Sequence, residues 1–300
     1  MVASVPGRSP HPFSTLPMKT ISLFDLAPGK TLVERYKILR TNRHGGMATT
    51  FAVEDRESGQ TLEMQVFPSA LFESSRQSSE FAESLARWKD LHASSVLAAR
   101  DVHSIEDGTI LYLTDLPPGR SLRERLQEKP RATSKETLAM GRQLLDELAA
   151  IHGAGLVHGD IKPHTIHVEE SKGLRVTLVD GGITRALWSA KHLGDKTALI
   201  GTPYYAPVEQ FGGESPDVQS DLYNLATVLY QLVSGAMPWK GKTFLEVFQS
   251  KLAKSPPPMR SLAPEVEVPA DLEAAISVGL MADRSLRYKT AAEFKARLAV

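Results

Sequence analysis

Three hundred residues, 42% of them apolar, are enough for one large domain or two lobes with a real core, which excludes a chain disordered throughout. Lys plus Arg and Asp plus Glu stand at 35 each, so no global field draws the chain to nucleic acid or to an anionic membrane. The absence of cysteine removes disulfides, zinc ribbons and thiol nucleophiles, and no apolar run reaches the length of a membrane span.

In chain order, residues 1–31 read as a disordered tail, rich in Pro and Ser, free of acids through Phe24 and without the apolar centre of a secretory signal. Leu32 to Arg40 then leads into Gly45-Gly46-Met47, followed by Thr50 to Glu54, a turn at Ser58-Gly59, and Thr61 to Phe67. The spacing predicts antiparallel strands joined by tight turns. A period of two puts Leu62, Met64 and Val66 on one face of the last strand, and Glu63 and Gln65 on the other. Residues 79–92 are predicted as a helix, and Gly108 to Leu116 as two short strand fragments ending at Pro117-Pro118-Gly119.

From there the pattern turns helical. Thr133 with Glu136 three residues on forms a capping-box signature, and Leu138, Leu144, Leu145, Leu148 and Ile151 follow at helical spacing up to Gly153. Ser220 to Ser234 is a second helix with a stop at Gly235 and Pro238. Leu272 to Leu280 and Thr290 to Leu298 close the series. The order implies an α+β chain with a small β-rich lobe followed by a larger helical lobe.

Two clusters carry chemistry. His158-Gly159-Asp160-Ile161-Lys162-Pro163-His164-Thr165 is followed by Asp180-Gly181-Gly182 at the end of the β-rich run Leu174 to Val179. This resembles the catalytic and metal-binding loops of the protein kinase family, H-R-D-x-K-P-x-N and then D-F-G. Gly201 to Gln210 resembles the activation-segment end of bacterial serine/threonine kinases, with Thr202 at their conserved threonine. Ser220-Asp221-Leu222-Tyr223 and Asp283 with Arg287-Tyr288 resemble two further family motifs. The resemblance covers Leu32 to Leu298 and implies a two-lobed kinase-like fold: an N-lobe over 32–116 with an antiparallel sheet and one helix, a hinge at 115–119, and a mainly helical C-lobe over 120–298.

The same resemblance implies roles. Asp160 falls where the substrate hydroxyl proton is accepted, Lys162 where the transferring phosphate is steadied, and Asp180 where Mg²⁺ is held, with Thr165 in place of the second metal ligand. Asp221 is expected to tie down the catalytic loop and His158 to be a core histidine bonded to backbone. Glu209 and Arg287 are expected to pair, with a loss of about 3 to 5 kcal/mol if either partner goes. His152, at a helix end, reads as an ordinary basic residue there.

The nucleotide half departs from the family. The phosphate-covering loop becomes Arg43-His44-Gly45-Gly46-Met47-Ala48, with one glycine of three at the pattern positions, and the V-A-I-K strand becomes Leu62-Glu63-Met64-Gln65. Gln65 lacks the charge that would hold phosphates, and its usual carboxylate partner falls on Ser84. The adenine positions become Glu63 and His167, and the hinge positions are Asp115 and Pro117, the latter without an N–H. Burying Glu63 against adenine unpaired would cost several kcal/mol, roughly.

Two contacts are therefore expected: Glu63 reaching His167 across the slot, and Trp88 filling the volume left by Gly181 in place of Phe. The resulting expectation is a pseudokinase acting as a regulatory or scaffolding binding module. It would be cytoplasmic, with no cofactor, no nucleic acid and no membrane span, and with a protein partner such as a phosphothreonine-reading or kinase-signalling protein. The alternative is a weak serine/threonine kinase using Mg²⁺ and ATP. It needs a cation from Lys37, Arg40 or Arg43, none of which the strand pattern turns inward.

Overall fold

Alternating apolar and polar side chains build the first lobe as a sheet. The computed structural model describes residues 13–22, 24–43, 48–91, 96–97, 99–191, 203–253 and 255–298. Strands β1 (Ser14–Leu16), β2 (Thr31–Leu32), β3 (Tyr36–Thr41), β4 (Thr50–Asp55), β5 (Thr61–Phe67), β6 (Ala99–Ile105) and β7 (Ile110–Asp115) form one sheet in the order β1-β6-β7-β5-β4-β3-β2. Leu62 and Met64 on β5 face a cluster with Leu32, Ile38, Val53, Leu111 and Leu113, while Glu63 and Gln65 point to the opposite face and are buried. That opposite face meets helix α1 (Ser75–Ala86) and looks towards the second lobe.

Three expectations change here. The segment 13–31 is not a loose tail: Ser14–Leu16 adds to the sheet edge parallel to His103–Ile105, and Leu16, Met18, Ile21 and Leu26 pack on the outer apolar face, which would otherwise stay wet. Buried His103 fixes that strand, with one ring nitrogen 2.6 Å from Ser14 Oγ and the other 2.8 Å from Tyr36 Oη. Helix α1 begins at Ser75 rather than 79, because the Ser74 hydroxyl accepts from the Gln77 N–H, and it ends at Ala86 in a 3₁₀ turn over Arg87–Asp90. The two fragments expected over 108–116 are one strand, β7. Its partner β6, with Arg100, Asp101 and His103 in seven residues, carries no clean period of two.

The second lobe starts at β8 (Arg120–Ser121), whose Ser121 caps α2 (Leu122–Glu128) in a reciprocal box with Glu124. Thr133 and Glu136 make the same box at the start of α3 (Ser134–Gly153). Strands β9 (Ile166–Glu169) and β10 (Arg175–Leu178) join β8 in a three-stranded sheet ordered β10-β9-β8. Then come α4 (Ile183–Ala190), α5 (Val208–Phe211), α6 (Val218–Ser234), α7 (Phe244–Lys251), α8 (Met259–Leu262), α9 (Ala270–Gly279) and α10 (Ala291–Arg297). Almost every residue of α6 is buried, with α3, α8 and α9 packed around it, so it is the post of this lobe. Among the described residues no helix is long and apolar enough to cross a membrane.

Candidate functional site

The second lobe holds its loop by backbone capture. Asp221, wholly buried near the start of α6, accepts from the His158 N–H at 2.9 Å and the Gly159 N–H at 2.8 Å. His152 Nε2 lies 2.9 Å from the same carboxylate, so this histidine at the end of α3 is a third support for the loop rather than an incidental helix-end base. His158 is fully buried, with Nε2 3.0 Å from the Val179 carbonyl and Nδ1 accepting from the Asp160 N–H. Burial pushes its pKa down, which suits a neutral ring bridging two backbone segments.

On this loop Lys162 Nζ lies 2.5 Å from Asp160 Oδ2, so the two groups are paired side by side. Thr165 is turned inward. Its hydroxyl donates to the Asp160 carbonyl at 2.8 Å and accepts from the Lys162 N–H at 3.1 Å, which makes it a brace of the loop. Asp180 follows β10 with φ +62, a left-handed conformation uncommon for a residue with a side chain, and the adjoining turn projects its carboxylate towards the first lobe.

What meets that carboxylate is Arg43, from the loop between β3 and β4. Its Nη1 donates to Asp180 Oδ2 at 2.9 Å and its Nη2 to Asp180 Oδ1 at 2.8 Å. The other edge of the guanidinium grips Glu63, Nε to Oε1 at 2.8 Å and Nη2 to Oε2 at 2.5 Å. Planar donors in a fixed fork suit two carboxylates at once. Asn42 and the Thr50 hydroxyl also donate to Glu63 Oε1, at 2.6 and 2.8 Å, and Gln65 Nε2 donates to Asp180 Oδ1 at 2.6 Å. The Glu63 side chain has no exposure, and those of Arg43 and Asp180 have 19% and 20%. The two lobes are thus joined by one cation between two carboxylates.

The electrostatics follow. Burial opposes ionisation of Asp180, yet the charge and hydrogen bonds of Arg43, then the Gln65 amide, outweigh it and hold the carboxyl below its ordinary range. Burial likewise works against the Arg43 charge, and the hydrogen bonds to Glu63 and the charge of Asp180 overcome it, raising its pKa.

Two further expectations meet this geometry with opposite results. Glu63 does not reach His167. It is satisfied by Arg43, Asn42 and Thr50, while His167 Nδ1 lies 3.1 Å from the Pro118 carbonyl at the hinge. A charged partner is a better match for a buried carboxylate than a histidine whose own burial disfavours protonation. Trp88 is 2% exposed and lies against the turn after Asp180. A Cβ on Gly181 would sit 2.4 Å from its ring, and one on Gly182 2.1 Å from its Nε1, so the indole occupies the space beside these glycines.

The remaining positions are dispersed. Asp115, at the end of β7, pairs outward with Arg100 at 2.8 and 2.5 Å and is half-exposed. Pro117 is partly buried, and Glu83 is exposed on α1 with Ser84 beside it. Gly45, Gly46 and Thr202 lie outside the described residues. Arg287 donates to both oxygens of Glu209, at 2.6 and 3.0 Å, and to the carbonyls of Met281 and Ala282, so α5 and the turn before α10 are tied by a buried pair.

The strand pattern alone does not reveal Arg43, because it lies past β3 in a loop. The signal was indirect: an inward carboxylate at residue 63 needs a cation, and Arg43 is the last Arg or Lys before β4, the strand paired with β5. The donor set around Asp180 does not fit a divalent metal ion in this arrangement. One carboxylate oxygen already accepts two N–H donors, and a guanidinium lies against both. Mg²⁺ takes near-octahedral oxygen ligands and would stand in contact with a fixed positive charge.

A family model described as a protein kinase domain matches residues 36–293. The chain is 26% identical over 275 residues to serine/threonine-protein kinase pkn3 of Myxococcus xanthus, covering 90% of this chain and 50% of that protein. It is 29% identical over 273 residues to serine/threonine-protein kinase PrkC of Bacillus subtilis, covering 89% and 40%. A probable serine/threonine-protein kinase PknB of Corynebacterium glutamicum matches at 29% over 275 residues, covering 89% and 42%. The chain therefore spans half or less of the length of these relatives. The crystal structure of the Mycobacterium tuberculosis PknI kinase domain superposes with a TM-score of 0.69 at 20% identity, covering 91% of this chain and 98% of that one.

Proposed function

This chain belongs to the protein kinase domain family, and from that premise we propose that it works as a regulatory or scaffolding binding module, a pseudokinase whose nucleotide site is closed by its own arginine. The observation that carries the proposal is the Arg43 bridge between Glu63 and Asp180. Asp180 is the position at which relatives would hold a metal, and here its carboxylate is spent on joining the lobes. The changes at Glu63, Gln65 and His167 support the same reading. The first is consumed by the bridge, the second donates to Asp180, and the third is turned to the hinge backbone. A partner protein, read by surface rather than by turnover, and a cytoplasmic setting belong to this proposal. A phosphothreonine-reading or kinase-signalling protein is the partner class it carries.

Titration calorimetry with Mg·ATP tests it. The chain is expected to give no saturable heat up to millimolar nucleotide, and an Arg43→Ala variant is expected to gain whatever affinity the remaining residues can supply. Saturable Mg²⁺-dependent binding by the unaltered chain, abolished in Asp180→Ala, overturns the proposal.

A second reading, a weak serine/threonine kinase, is favoured by one observation. Asp160, Lys162 and Asp180 all stand at the site, and Arg43 supplies a cation where residue 65 has none. In that reading Arg43 turns from the carboxylates to phosphate. Radiolabel transfer to a basic protein, lost in Asp160→Asn, would establish it.

A further inference from the structure

Three serines of this chain precede a proline, Ser9, Ser215 and Ser255, and Ser215 has a guanidinium at its hydroxyl. It lies on residues 212–217, the irregular stretch between α5 and α6, behind Gly212-Gly213 and beside an exposed Glu214. The proline after it disfavours helical backbone at Ser215 and biases the stretch to the extended form in which a peptide enters a kinase cleft. Ser215 is half-buried. Arg185 Nη1, from α4, donates to Ser215 Oγ and, at 2.7 Å, to the Pro216 carbonyl. Gly159 makes that approach possible: a Cβ there would stand 3.3 Å from the Arg185 N and 3.5 Å from the Pro216 Cβ. The acids near Ser215 on either side already have a cation. Arg284 Nη1 lies 3.1 Å from Glu214 Oε2, and its Nη2 contacts Asp217 Oδ2. Asp217 in turn caps α6 by accepting from the Ser220 N–H at 2.9 Å. One short segment thus joins α4, which packs on α1, to the helix whose Asp221 holds the Asp160 loop.

We propose that Ser215 is a phosphorylation site and that Arg185 receives the phosphate. A protein kinase reading Ser-Pro transfers the γ-phosphoryl group of ATP to it. The Oγ–P bond forms, the bond from the γ-phosphorus to the β,γ-bridging oxygen breaks, ADP leaves, and the hydroxyl proton passes to that kinase's base. The serine hydroxyl offers Arg185 one neutral acceptor. A phosphate in its place offers a charge of about −1.5 to −2 and three oxygens, to which a guanidinium donates in pairs. The Ser-Pro dipeptide alone selects Ser9 and Ser255 equally, and the guanidinium selects Ser215. The gain falls on the join between α4 and the start of α6, so the modification stiffens the mount of the Asp160 loop. This goes beyond the module reading above and does not depend on whether nucleotide binds at the Arg43 bridge.

The test has two parts. The folded chain is incubated with Mg·ATP and a serine kinase that requires proline after its target, and the product is mapped by peptide mass spectrometry. Phosphate is expected at Ser215, and its absence there, whether the chain is unlabelled or labelled only at Ser9, Thr202 or Ser255, overturns the proposal. In the second part phosphoserine is installed at position 215 during synthesis of the chain. It is expected to raise the melting midpoint by about 2–4 °C. Its ³¹P resonance is expected to titrate below the ordinary value of about 6 in the folded chain and near that value in urea. Arg185→Gln is expected to abolish both effects. Comparing modified and unmodified chains within each background cancels any loss of stability from the substitution itself. A midpoint that does not rise on modification, or that rises equally in Arg185→Gln, overturns the proposal.

Discussion

Replacing Arg43 by Ala removes the cation that stands between Glu63 of the first lobe and Asp180 of the second. Glu63 keeps Asn42 and Thr50 as donors and Asp180 keeps Gln65, but two carboxylates now face the same slot without their counter-charge. Breaking a buried pair by deleting one partner costs about 3 to 5 kcal/mol. With Arg43 and Asp180 each about one-fifth exposed, the lower end applies, about 3 kcal/mol. For a chain of this size that lowers the melting midpoint by about 5–10 °C. The loss has a pH signature. Arg43 holds the folded Asp180 carboxyl below its ordinary value of 3.8, so its contribution is fully present above that pH and disappears as pH falls through the folded value. The gap between the unaltered chain and Arg43→Ala is therefore widest near neutrality and narrows in acid. Denaturant unfolding at a series of pH values measures it. An Arg43→Ala variant within about 0.5 kcal/mol of the unaltered chain at neutral pH, below any buried-pair effect, refutes the bridge as a structural element, as does a gap indifferent to acid.

Three other outcomes follow from the packing. Gly181→Ala is expected to destabilise by about 1–3 kcal/mol because the new methyl meets the Trp88 ring, and a second change, Trp88→Leu, is expected to recover part of that loss in thermal melts. Arg287→Met leaves Glu209 without its partner and is expected to cost about 3–5 kcal/mol, whereas the double variant with Glu209→Leu should lose less than the sum. Lys251 is wholly buried, its amine 2.8 Å from the Tyr204 carbonyl, and burial followed by the Arg287 charge holds its pKa well below 10.5. Between the lowered folded pKa and the unfolded one the unfolded chain binds more of that proton, so stability should climb with pH through that window, towards about pH 10. That slope should flatten in Lys251→Met when unfolding is followed across the range.

Helix caps and strand alternation were readable because they depend on neighbours a few residues apart. Thr133 and Glu136 make their box within one turn, and Leu62 and Met64 separate from Glu63 and Gln65 by the pleat alone. The Trp88 contact was readable for a different reason. A volume missing at Gly181 must be filled by something large, and few large residues stand near it. The pairing of Glu63 was misread as going to His167, because a buried carboxylate demands a partner without saying which. His152 was misread in the same way, since a basic residue at a helix end has a local explanation that hides its 2.9 Å contact with Asp221 across 69 residues.

The order and type of the longer elements, such as β4, β5, α3 and α6, the two lobes, the chemistry-bearing loop at Asp160 and the loss of charge at residue 65 lie in the sequence by itself, since each is written in local period, capping or a short motif. Only the tertiary structure decides which charges meet. The side chains of Arg43 and Asp180, 137 residues apart, share two hydrogen bonds. Arg123 remains without a carboxylate partner among the described residues, while Arg125, two positions on, is buried with Glu136 and Glu170. Coulomb energy depends on distance in space, and a loop such as that between β3 and β4 has no period from which the direction of its arginine could be read.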